Sequence, residues 1–129
     1  MNPKQRRKMT AAKSTGKPRS AIHSGRKLGK AYLEKLIDEA TIDCYNESEQ
    51  ATGFYTMIED NLALPFTVTI LGNQVSVEKV DIDDRDNIVA VCASGRARQR
   101  IRILDLPLPD PAPAGSEWIE AYRRWYNPG

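Results

Sequence analysis

Hydrophobic positions follow two regimes along this 129-residue chain, first a helical period and then a period of two. Order is expected from about Leu28. From there Leu33, Leu36, Ile37, Ala40 and Cys44 recur at helical spacing, with Glu34, Lys35, Asp38 and Glu39 on the other side. A second amphipathic stretch puts Ala51, Phe54, Tyr55, Ile58 and Leu62 on one face, with Ser48 as its expected N-cap. A tight turn near Tyr45–Ser48 joins the two helices, and Pro65 closes the helical region.

Beyond Pro65 apolar and polar residues alternate. In Phe66–Leu71 the side chains of Phe66, Val68 and Ile70 share a face. Gly72–Asn73 turns the chain, and Gln74–Ile82 runs on with a bulge expected near Lys79. An aspartate-rich link leads into Asn87–Ala93, Ser94–Gly95 turns again, and Arg96–Leu104 makes a fourth strand. Four short strands with short connections predict an antiparallel meander, a small barrel or a strongly bent sheet. Pro107–Gly115 suits only an extended surface connection. Ser116, Trp118, Ile119, Tyr122 and Trp125 then form a short C-terminal helix whose aromatic face docks on the strands. The expected fold class is α+β.

Charge divides the chain differently. Residues 1–30 hold ten Lys or Arg and no acid, whereas residues 31–129 hold nine bases against seventeen acids, a net of −8. We therefore expect a disordered basic N-terminal arm over residues 1–27 and a single acidic domain over 28–129. Such an arm attracts nucleic acid, an acidic membrane, an acidic protein or its own domain. No apolar run approaches the roughly 18 residues a bilayer span needs, and no apolar stretch follows the basic start, so a cytoplasmic monomer is expected. Cys44 and Cys92 form no C-x-x-C pair and have no neighbouring His. That argues against zinc and for two buried, reduced thiols. The one histidine, His23, falls in the arm, and neither a nucleophilic triad nor a glycine-rich phosphate loop is present, so the chain reads as non-enzymatic.

Three polar groups are candidate sites. Val80–Asn87 carries Asp81, Asp83, Asp84 and Asp86. As an EF-hand it fails: counting from Asp81, position 5 is Arg85, position 6 is Asp86 and position 12 is Cys92. It is either the polar tip of a hairpin or an auxiliary cation site. Asp43, Asn46, Glu47 and Glu49 sit where the two helices meet and offer hard oxygen ligands, or simply complement a helix dipole. Glu59 and Asp60 end the second helix, where acids oppose the dipole. Lastly, Arg96, Arg98, Arg100 and Arg102 alternate on one strand face. This is either a nucleic-acid footprint or a set of partners for the domain's own acids.

Asp43–Phe66 resembles the cyanobacterial calcium-binding protein family of the CcbP type. The resemblance is carried by Asp43-x-Tyr45, the acids Glu47 and Glu49, Gly53–Phe54–Tyr55, and the run Ile58–Phe66. It continues loosely through the strands to Glu117–Asn127 and leaves the arm outside. It implies an Sm- or SH3-like barrel and Ca²⁺ held by surface carboxylates without an EF-hand, in a buffer or low-affinity sensor. It also implies Asp43, Glu47, Glu49, Glu59 and Asp60 as metal ligands. Asp81, Asp83, Asp84 and Asp86, which the resemblance does not match position by position, are a second, weaker candidate set. The alternative is a nucleic-acid-binding small β-barrel using the arm and Arg96, Arg98, Arg100 and Arg102.

Overall fold

Helix α1, Lys30–Ala40, buries Leu36 and Ala40, which are four apart and so lie on one stripe. It stops three residues before Asp43, because Thr41 leaves the helix. Its N–H and its Oγ1 both donate to the Ile37 carbonyl, at 3.0 and 2.8 Å. The computed structural model describes residues 28–128, so the arm expected over residues 1–27 lies outside them.

Helix α2, Glu47–Asn61, is capped by Asn46 and not by Ser48. Asn46 Oδ1 accepts from the Glu49 N–H at 2.8 Å, and Glu49 Oε1 accepts from the Tyr45 N–H at 2.7 Å. This reciprocal arrangement satisfies donors at both sides of the helix start. α2 buries Ala51, Phe54 and Ile58. Where α1 ends against α2, Gly53 leaves no room for a side chain, since a β-carbon there would lie 2.1 Å from the Ala40 oxygen.

Strands β1 (Phe66–Ile70), β2 (Asn73–Ile82), β3 (Ile88–Ser94) and β4 (Ala97–Arg102) form one antiparallel sheet in the order β1-β2-β3-β4. The expected bulge is present, as a register shift between Val77 and Lys79. The sheet is open, with β1 and β4 as its edges, so the closed-barrel expectation gives way to the sheet alternative. A meander pairs each strand only with its sequence neighbours, and nothing here brings β1 to β4. Val68, Val77, Val80, Ile88, Ala90 and Cys92 face the helices and join Phe54, Ile58, Ile119 and Tyr122 in the core. Each large apolar side chain so buried contributes roughly 1.5–3 kcal/mol.

β4 ends two residues before Leu104. Ile103–Asp105 forms a single 3₁₀ turn that buries Ile103 completely. The Arg123 guanidinium donates to the carbonyls of Ile103 and Leu106, holding that turn against helix α3, Glu117–Tyr126. The proline-rich connection runs back over the end of α2, where the Ala63 N–H donates to the Ala114 carbonyl at 2.8 Å. Gly115, at φ 89°, presses on the Asn61 backbone. α3 docks on the other helices as well as on the sheet. The Tyr122 and Trp125 rings lie 5.6 and 5.2 Å from Phe54, Arg124 pairs with Glu34 at 2.7 Å, and Trp125 Nε1 donates to Gln50 at 2.9 Å.

Candidate metal centre

Because α1 ends at Ala40, Asp43 and Glu47 do not share a helix face. Asp43 lies in the interhelical turn at φ 59°, and Glu47 is the first residue of α2. Both are exposed. Glu49 is committed to the Tyr45 N–H. Glu59 accepts from the Tyr55 hydroxyl at 2.9 Å, one turn back along α2. Twelve residues of helix separate Glu47 from Glu59, about 18 Å along the axis. Calcium–oxygen distances are only about 2.3–2.6 Å, so these acids cannot meet on one ion. The five carboxylates form two groups, Asp43–Glu49 at one end of α2 and Glu59–Asp60 at the other.

Tyr55 records the field at the second group. Its phenol is pushed up to about 12, first because its O–H donates to Glu59, then through burial and the negative charges of Glu59 and Asp81.

The aspartate run closes the β2–β3 hairpin, and two of its members are already occupied. Asp83 Oδ1 accepts from the N–H groups of Arg85 and Asn87, both at 2.9 Å. These bonds hold the Asp83 carboxyl below its ordinary range. Asp81 accepts from the Ile82 N–H and pairs with Arg100 across the sheet. Asp84 is exposed, and Asp86 sits at φ 64°.

Asp86 instead faces the helical hairpin. It lines a cleft of about 380 Å³ together with Asn87, Arg85 and the first turn of α2 at Glu47 and Ser48. Tyr122, Trp125 and Tyr126 of α3 form the far wall. One carboxylate from each acidic run, 39 positions apart in the chain, thus lines one space, which Asn87 lines as well. Spacing gave no hint of this pairing, because only the packing of α3 against both loops creates it. Among the described residues no three Asp, Glu, Cys or His side chains converge as a ready-made metal cage. The donors are hard oxygens of the kind Ca²⁺ takes, but the site is open rather than enclosed.

The other candidates are accounted for within the domain. Arg98 lies 3.9 Å from Glu78, Arg100 pairs with Asp81, and Arg102 is 3.0 Å from Asp105. Arg96 falls in the β3–β4 turn and not on the strand. The arginine stripe is therefore largely neutralised by local acids, and nothing favours the nucleic-acid reading. Cys92 is buried, and burial pushes its thiol up. Cys44 is only half-buried, contrary to expectation, because it lies in the turn beyond α1. No helix among the described residues is long and apolar enough to cross a membrane.

Three helices on an open antiparallel sheet, with an acid-bearing helical turn beside a hairpin tip, define an α+β domain. The same fold is seen in the crystal structure of Anabaena CcbP, at a TM-score of 0.58 and 18% identity over 80% of this chain and 94% of that one. No curated protein matches the sequence. The family model of CcbP-type proteins, described as calcium binding, matches residues 34–126. The chain belongs to this CcbP calcium-binding family.

Proposed function

We propose that this chain binds Ca²⁺ without an EF-hand, as a buffer or low-affinity sensor, at the turn end of the α1–α2 hairpin. The observation that carries the reading is the shared cleft of Glu47, Asp86 and Asn87, taken with membership of the family. Two carboxylates and an amide oxygen supply part of a calcium shell of six to eight oxygens, and water and backbone carbonyls supply the rest. Asp43 and Glu49, on the adjoining turn, are the further carboxylates of this proposal. Glu59 and Asp60 stand apart as a separate, weaker attraction for cations. An open and hydrated site implies modest affinity and fast exchange. We read the protein as a non-enzymatic cytoplasmic binder.

A ¹H–¹⁵N NMR titration with Ca²⁺, with Mg²⁺ as control, tests this. Calcium-specific shifts should centre on Asp43–Glu49 and on Asp86–Asn87. Calcium should also raise the melting temperature by mass action, and much less so in the Asp43→Asn, Glu47→Gln double variant. Absence of shifts in both segments at millimolar calcium would rule the reading out.

A further inference from the structure

The acidity of the folded domain is concentrated in one place. Residues 30–61, the helical hairpin, contain eight acids and two bases, Lys30 and Lys35, whereas residues 62–129 contain nine acids and eight bases. The hairpin therefore carries −6 of the net −7 of residues 28–129. Among the described residues only Glu34 of those eight acids is in an ion pair, with Arg124. Asp38, Glu39, Asp43, Glu47 and Asp60 are all exposed. The sheet, by contrast, matches its arginines with acids of its own.

The missing positive charge lies in the same chain. Residues 1–27 contain nine Lys or Arg and no acid, and they lead directly into α1 at Lys30. The whole of α1 is 11 residues, about 16 Å long. A segment of 27 residues spans that at a fraction of its extended length of about 3.3 Å per residue. The end of the hairpin also offers a seat of suitable chemistry. Trp125 and Tyr126 line the same cleft as Glu47 and Asp86. A cleft lined by both aromatic rings and carboxylates suits an ammonium or a guanidinium. Arg85 lines the same cleft and opposes a second cation, so the exposed face of the hairpin holds most of the attraction.

We propose that the basic segment 1–27 docks through its Lys and Arg side chains on the acidic face of the α1–α2 hairpin and the adjoining cleft, where it competes with calcium for the same carboxylates. The competition rests on the calcium reading above; the docking does not. Being tethered, the segment acts at a high effective concentration, so weak individual contacts suffice. Calcium binding releases the segment, and by reciprocity the segment lowers the affinity for calcium.

The test uses the full-length chain beside a full-length variant with every Lys and Arg before Leu28 changed to Gln. Isothermal titration calorimetry at low ionic strength should show the variant binding Ca²⁺ about fivefold or more tightly, with the gap closing as salt screens the contacts. In the calcium-free native chain, carbodiimide cross-linking and mass spectrometry should find intramolecular amides between lysines before Leu28 and Asp38, Glu39, Asp43 or Glu47. Added calcium should suppress them. Equal affinities in the two proteins overturn the competition, whatever the cross-links show. Absence of cross-links to the hairpin overturns the docking. If neither protein binds calcium, the calcium reading and the competition fail together, and the cross-links alone decide whether the segment docks.

Discussion

The backbone of Gly53 passes so close to the carbonyl of Ala40 that a β-carbon on Gly53 would sit 2.1 Å from that oxygen. Helix propensity alone favours Ala at a mid-helix glycine by about 1 kcal/mol. Here the backbone contact prevails, because neither the Ala40 carbonyl nor α2 can yield without parting the hairpin. Gly53→Ala should destabilise the protein by about 1–3 kcal/mol in urea unfolding, as overpacking does. A stabilised Gly53→Ala would show that the two helices are not in this contact.

The cap of α2 gives a paired comparison. Asn46→Ala removes the acceptor of the Glu49 N–H and should cost about 1 kcal/mol. The Ser48 side chain makes no hydrogen bond among the described residues, so Ser48→Ala should fall within about 0.5 kcal/mol of the parent. The reverse order in thermal or urea unfolding would move the helix start by two residues.

Tyr55 should be visible in an alkaline titration. Its folded pKa, about 12, lies above the ordinary tyrosine value of 10.0. The stability it contributes is therefore complete below pH 10 and is lost as pH rises through about 12. Ultraviolet titration of tyrosinate should lose a late-ionising phase in Tyr55→Phe. In Glu59→Gln that phase should move toward pH 10. An unchanged titration in both variants would remove the Tyr55–Glu59 bond.

Asp83 acts at the opposite end of the pH scale. Its folded pKa is depressed below 3.8 by the Asn87 and Arg85 N–H groups. Its contribution is thus complete above that value and is lost as pH falls through the lower folded value. Asp83→Asn should lower stability at neutral pH and flatten the acid limb of a urea-midpoint profile below pH 3.8. An acid limb as steep as the parent's would mean that the carboxylate is not the group holding the tip.

Much of the fold was legible where a single period governs a segment. Helix α2, the first two strands, the Gly72 turn and the bulge near Lys79 all follow from local alternation and turn chemistry. The failures have two causes, one a local choice of cap and the other a contact distant in sequence. Asn46 outcompetes Ser48 as cap because α1 stops at Ala40, which frees the turn to present Asn46. Ile103 leaves the strand because Arg123, 20 residues on, grips its carbonyl. The candidate site shows the same division. The two acidic runs stood out in the sequence, yet nothing there revealed that Asp83 is spent on its own hairpin and Asp81 on Arg100 of β4, while Asp86 shares a cleft with Glu47.

The two tryptophans report on different parts of the molecule. Trp118 is only 6% exposed and belongs to the core. Trp125 lines the cleft together with Glu47 and Asp86, with its indole N–H tied to Gln50. Intrinsic fluorescence therefore carries two separable signals, one following the integrity of the interior and the other following whatever enters or leaves the acidic cleft. A Trp118→Phe chain would leave Trp125 as the sole tryptophan, a label-free gauge of occupancy built into α3.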